Sequence, residues 1–133
     1  MEDQDQRQPP PIVEMREVTP PAAYSIAVRE AAGVSVLVLR GELDLAAAPQ
    51  LSERVDAVAP GQALVIDLAE TTFIDSAVLR ELLRARAELA GRGGRVVLAG
   101  ITEPVRRLLE LTRTSELFDE EPDAATAIKR LSD

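Results

Sequence analysis

Three short runs rich in aliphatic and β-branched residues, Val34–Arg40 (VSVLVLR), Ala63–Leu68 (ALVIDL) and Arg95–Ala99 (RVVLA), alternate with segments whose apolar residues recur at helical spacing. This alternation restricts the fold more than any other feature. Near-continuous apolar runs read as strands covered on both faces, and strands separated by helices imply parallel pairing through helical crossovers. Ahead of the first run Tyr24, Ile26 and Val28 alternate and Gly33 punctuates, so the chain opens its folded part with a hairpin. Ala48, Leu51, Val55 and Val58 mark a first helix, with Pro49 in its first turn and Pro60-Gly61 as its stop. Asp75 is placed to cap a second helix through Leu79, Leu82, Leu83, Leu89 and Ala90, ending near Gly91–Gly94. A third spans about Glu103 to Thr112, Leu117-Phe118 suggests a short edge strand, and Asp123 opens a last helix through Ile128 and Leu131. The order ββαβαβα(β)α predicts one α/β domain: a mixed sheet of four to five strands flanked by about four helices.

Composition narrows what such a domain does. The 133 residues, 46% hydrophobic and 29% charged, suit a single core. Five of the nine prolines fall within residues 1–23 among Asp, Glu and Gln. That composition buries too little apolar surface to offset ordering entropy, so a disordered acidic tail is expected there and a folded domain over 24–133. With neither Cys nor His, the chain lacks thiolate metal sites, disulfides, cysteine nucleophiles and the commonest general base. Fifteen basic against 23 acidic residues give a net charge of −8, which repels nucleic acid and anionic membranes. No apolar run approaches the roughly 18 residues of a membrane span, and MEDQDQRQPPP has no signal-peptide pattern, so a cytoplasmic location is expected.

Right-handed crossovers gather the loops at the strand carboxyl ends, where open α/β sheets place their sites. The loop after the second strand holds Glu42 and Asp44; the loop after the third holds Thr71, Thr72, Asp75 and Ser76. Both precede helices, so Ser76 would meet free backbone N–H groups and the positive end of a helix dipole, as a contact point or a phosphorylation site. The plainer reading makes Asp75-Ser76 a cap alone. Asp44, Asp67 and Asp75 raise metal or acid–base chemistry. The absence of His, of a Gly-rich phosphate loop and of GxSxG argues against an enzyme, and no cofactor or metal is expected.

Five motifs in register, GELD at Gly41–Asp44, LVIDL at Leu64–Leu68, FIDSAVL at Phe73–Leu79, GGRVVLAG at Gly93–Gly100 and VRRLLELT at Val105–Thr112, resemble a STAS domain. More narrowly, they resemble the stand-alone bacterial anti-sigma factor antagonists, with the likeness spanning Tyr24 to Leu131. The resemblance implies a small cytoplasmic regulator that binds an anti-sigma factor, commonly a serine kinase of the GHKL fold, frees its sigma factor, and is switched off by phosphorylation. It implies docking through Glu42, Asp44, Asp75, Ser76, Ala77 and Val78. In the family the acceptor is the hydroxyl residue two places after the Asp, followed by Gly; here those places hold Ala77 and Val78. The chain therefore escapes the usual switch, uses Ser76, or works without phosphorylation. The alternative is a STAS scaffold or accessory subunit of a stress-signalling assembly or a lipid-transport ATPase.

Other residues carry plainer expectations. Asp44 could instead cap the first helix, since Ala47 leaves few capping groups there. Asp67 should accept hydrogen bonds from the loop after its strand. Arg106-Arg107 would be solvated or pair with an acidic partner, and Arg113, where the family often has Gly, must turn left-handed or reshape the helix end.

Overall fold

The structure, a computed structural model, describes residues 23–132. Residues 1–22, expected above to form a tail, lie outside the described residues, as does Asp133. Strands β1 (Tyr24–Ala31) and β2 (Val34–Leu43) form the expected antiparallel hairpin, pairing Ala31 with Val34. Both turn residues have positive φ, 52° at Ala32 and 80° at Gly33. This is the primed turn geometry, whose twist matches that of the flanking strands.

Helix α1 (Ala48–Asp56) leads to β3 (Ala63–Ile74), and α2 (Ser76–Gly91) to β4 (Arg95–Ala99). Helix α3 (Glu103–Leu111) and a 3-10 turn (Ser115–Leu117) lead to β5 (Asp119–Glu121), and α4 (Ala124–Ser132) follows. The five strands lie in sequence order, with β1 antiparallel to β2 and every later pair parallel. The mixed α/β sheet with four helices is thus as the sequence predicts.

Both faces of the central strands are covered, which is why their sequences run nearly unbroken in Val, Leu and Ile. One face carries Leu37, Leu39, Leu64, Ile66, Leu68 and Leu98 against Leu51 and Val55 of α1, Leu82 and Leu89 of α2, and Val105 and Leu109 of α3. On the other, Val34, Val36, Val65 and Val97 meet Ala124 and Ala127 of α4. The guanidinium of Arg84 ties α2 to α1, donating to Asp56 Oδ1 at 3.2 Å and to Ser52 Oγ at 2.8 Å. Hydrogen bonding to Glu81 and Asp56 outweighs burial and raises its pKa.

Three local expectations need correction. Strand β3 does not stop at Leu68 but runs to Ile74, so Thr71 and Thr72 are strand residues, as is Glu42 in β2. The edge strand is Asp119–Glu121 rather than Leu117-Phe118, because Phe118 turns inward, 7% exposed, and only then does the chain pair with β4. The N-cap of α1 is Ala47, with no side-chain hydrogen bond, so Asp44 does not cap that helix.

Candidate functional site

Strands β2 and β3 outrun β4. The last β3–β4 pair is Asp67 with Ala99, whereas β2 and β3 continue through Glu42–Phe73 and Leu43–Ile74. One step further the Asp75 N–H donates to the Leu43 carbonyl at 3.2 Å. Asp44 and Asp75 therefore leave their strands side by side, each at the entrance to a helix. Glycine at 41 is needed on the other side of β2, where the chain entering β1 crosses it closely. Its φ is +87°, and a Cβ there would lie 2.2 Å from the Ala23 carbonyl oxygen, which accepts the Glu42 N–H at 2.8 Å.

Each acid has a local task that leaves acceptor capacity over. Asp44 Oδ1 accepts the Ala46 N–H at 3.0 Å, folding the chain into an Asx turn. Asp75 is the N-cap of α2 as expected: its backbone is extended and Oδ1 accepts the Val78 N–H at 3.0 Å. A carboxylate has about four lone-pair sites, so neither is saturated by one bond. Glu42 and Asp44 are exposed and Asp75 is half-buried. No described Arg or Lys is within ion-pairing distance of these three acids. Ser76 is exposed on the first turn, whereas Ala77 is 8% exposed and Val78 is fully buried in the core under the sheet.

The remaining expected residues are scattered. Asp67 sits mid-strand between Val38 and Ala99, and its Oδ1 accepts the Ala69 N–H at 3.0 Å, inside β3 rather than from a following loop. It is remote from Asp44 and Asp75. The three acids therefore do not form one cluster, and among the described residues no group of three or more His, Cys, Asp or Glu is placed to hold a metal ion. Thr71 is buried and donates to the Leu39 carbonyl at 2.7 Å, while Thr102 donates to the Thr71 carbonyl at 2.6 Å. Arg106 is partly exposed but engaged within the fold. It forms a bidentate pair with Glu120 at 2.6 and 2.9 Å, whose hydrogen bonds raise the guanidinium pKa. Arg107 is exposed. Of the two alternatives open to Arg113, it takes the left-handed one, at φ +59°.

Two residues escaped the sequence reading. Leu45, 69% exposed, follows Asp44, and Phe73, 48% exposed, lies two places before Asp75. Phe73 points outward because the second of two bulges in β3 undoes the phase reversal made by the first. The strand's register against β2 slips between Val38 and Arg40 and again between Gly41 and Glu42. Each slip inserts one residue and reverses the inward–outward phase. Thr72 and Phe73 are consequently both exposed, and Ile74 turns back into the core. The run Phe73-Ile74 gave no local signal, since successive apolar residues of this same strand, Leu64, Val65 and Ile66, are buried on opposite faces of the sheet.

Comparison with known proteins agrees with this architecture. A family model described as "Mlab, STAS domain" matches residues 26–119. The anti-sigma-F factor antagonist RsfB of Mycobacterium tuberculosis is 33% identical over 114 residues, covering 82% of this chain and 93% of that protein. An anti-sigma-B factor antagonist of Listeria monocytogenes is 33% identical over 81 residues, 59% of this chain and 71% of its own length. The crystal structure of an anti-sigma factor antagonist from Mycobacterium paratuberculosis superposes with a TM-score of 0.74 at 30% identity, covering 87% of this chain and all of that one. The fold is that of a STAS domain. The chain belongs to the STAS domain family, among its anti-sigma factor antagonists.

Proposed function

We propose that this chain binds an anti-sigma factor of the GHKL serine-kinase fold through the carboxyl ends of β2 and β3, and so frees a sigma factor for transcription in the cytoplasm. The observation that carries the reading is the pairing of Asp44 with Asp75, two acids with spare acceptor capacity beside an exposed helix start. The names of the relatives supply the class of partner. Glu42 adds a third negative charge and Ser76 a hydroxyl, while Ala77 and Val78, buried beneath the first turn of α2, support that surface from below. Steering by three acids favours a basic partner surface.

Ala77 offers no hydroxyl at the place where the family resemblance puts the phosphoacceptor. The proposed regulator is therefore not switched off there, and Ser76 is the nearest remaining acceptor. Intact mass after incubation with the kinase and ATP tests this. The wild type should stay unmodified and Ala77→Ser should gain one phosphate. Phosphate on Ser76 of the wild type would mean that the switch has moved rather than gone.

The partner is tested by affinity capture from the host lysate followed by titration of the recovered protein. Saturable 1:1 binding to a GHKL-type anti-sigma factor, lost in Asp75→Lys, supports the reading; unchanged affinity in that variant contradicts the docking surface. Recovery of scaffold or transport-ATPase subunits without such a kinase would favour the accessory-subunit reading, which rests on the departures at Ala77 and Val78.

A further inference from the structure

Five large apolar side chains are exposed among the described residues: Val28, Leu45, Phe73, Leu111 and Leu117. Single exposed apolar residues are ordinary on a protein surface and call for no explanation. Leu45 and Phe73 differ in their setting. They flank the two acids at adjoining strand ends, and Phe73 owes its outward direction to the bulge between Gly41 and Glu42. The chain's other phenylalanine, Phe118, is buried. Leu111 and Leu117, by contrast, lie where α3 has run back from the strand carboxyl ends, beside a hollow of about 430 Å³ lined by Glu110, Arg113, Ser115 and Glu116. That mixture of charges selects no partner.

We infer that Leu45 and Phe73 form the apolar anchor of the docking surface and enter an apolar hollow, rimmed by Lys or Arg, on the anti-sigma factor. This rests on the function proposed above and adds the chemistry of the partner's side. The division of labour follows from the geometry. Glu42, Asp44 and Asp75, at the same two strand ends, supply charge that accelerates encounter, while burial of the two large side chains against the partner slows dissociation. Neither side chain belongs to the two core clusters, so both can be changed at small cost to the fold.

The test uses the full-length chain and each purified GHKL-type anti-sigma factor encoded by its source organism, immobilised for kinetic measurement. Leu45→Ser and Phe73→Ser should each raise koff at least tenfold, with kon and its salt dependence unchanged. Phe73→Leu, which keeps apolar bulk, should stay within about threefold of wild type. Asp44→Asn should instead lower kon and flatten its salt dependence. Thermal midpoints matching wild type would show that the serine variants are folded.

Wild-type koff in both serine variants, with binding still lost in Asp75→Lys, would overturn the anchor and leave the proposed function standing. Wild-type chain binding none of these factors would overturn the proposed function and the anchor together. A free protein that dimerises through this pair, its dimer abolished by Phe73→Ser, would assign the patch to a second copy and overturn the inference.

Discussion

The backbone N–H of Asp75 donates to the carbonyl of Leu43 at 3.2 Å, one step beyond the last β2–β3 pair. This bond extends the strand ladder into the cap of α2 and thereby seats the acidic turn after β2 against the start of that helix. Position 75 thus serves the fold and the surface at once, and the two tasks separate by substitution. Asp75→Ala should lose about 1 kcal/mol through the missing cap, whereas Asp75→Asn keeps a competent cap and should hold nearly all of it. Urea midpoints at unchanged slope measure the difference.

Gly41 is the tightest backbone position near the site. Gly41→Ala places a methyl group against the Ala23 carbonyl and asks a non-glycine residue to hold φ +87°. A loss of about 2 kcal/mol or more is expected from strain and displacement of β1's first residues. The same urea titration reads it, and a midpoint equal to wild type would contradict the geometry.

The bidentate Arg106–Glu120 pair joins α3 to β5, with both side chains about 30% exposed, 31% and 28%. A double-mutant cycle to alanine should give a coupling of about 1 kcal/mol, between an exposed and a buried pair. Affinity for the anti-sigma factor should not change in Arg106→Ala, since the guanidinium is already committed within the fold.

Asp123 provides a pH dependence of known sign. Its carboxylate accepts the Thr126 N–H at 2.7 Å at the start of α4, and this bond lowers its pKa. A depressed folded-state pKa contributes stability above the unfolded value of about 4 and loses it as pH falls through the lower folded-state value. Asp123→Asn should therefore lose less stability than wild type over that acidic interval. Thermal midpoints taken across it check the prediction, and parallel curves would contradict it.

The sheet was legible where apolar periodicity was unbroken and obscure where it was not. ALVIDL announces β3, but the two bulges beyond Leu68 break the alternation, and polar Glu70, Thr71 and Thr72 then read as a loop. Strand β5, Asp119–Glu121, is wholly acidic and forms because Val97–Ala99 offers it a partner edge, a tertiary cause with no local signal. The Asp75 cap is local, three residues from the N–H it accepts, and was readable for that reason. Asp44 was misread as a possible cap because a turn-forming Asp and a capping Asp look alike in sequence. Leu45 and Phe73 were missed because an apolar residue beside a strand is ordinarily assigned to the core. Arg106 and Glu120, 14 residues apart, are brought together only by the packing of α3 against the sheet.

The central claim is that the strand-end surface displaces a sigma factor from its anti-sigma factor. The direct measurement is titration of the full-length chain into a preformed complex of the two, following free sigma factor. Wild type should release it in a saturable, stoichiometric manner, Ala77→Ser should match wild type until ATP is supplied to the anti-sigma kinase in the complex, and Asp75→Lys should release none. Release by Asp75→Lys equal to wild type, or no release by wild type at saturating concentration, would contradict the account.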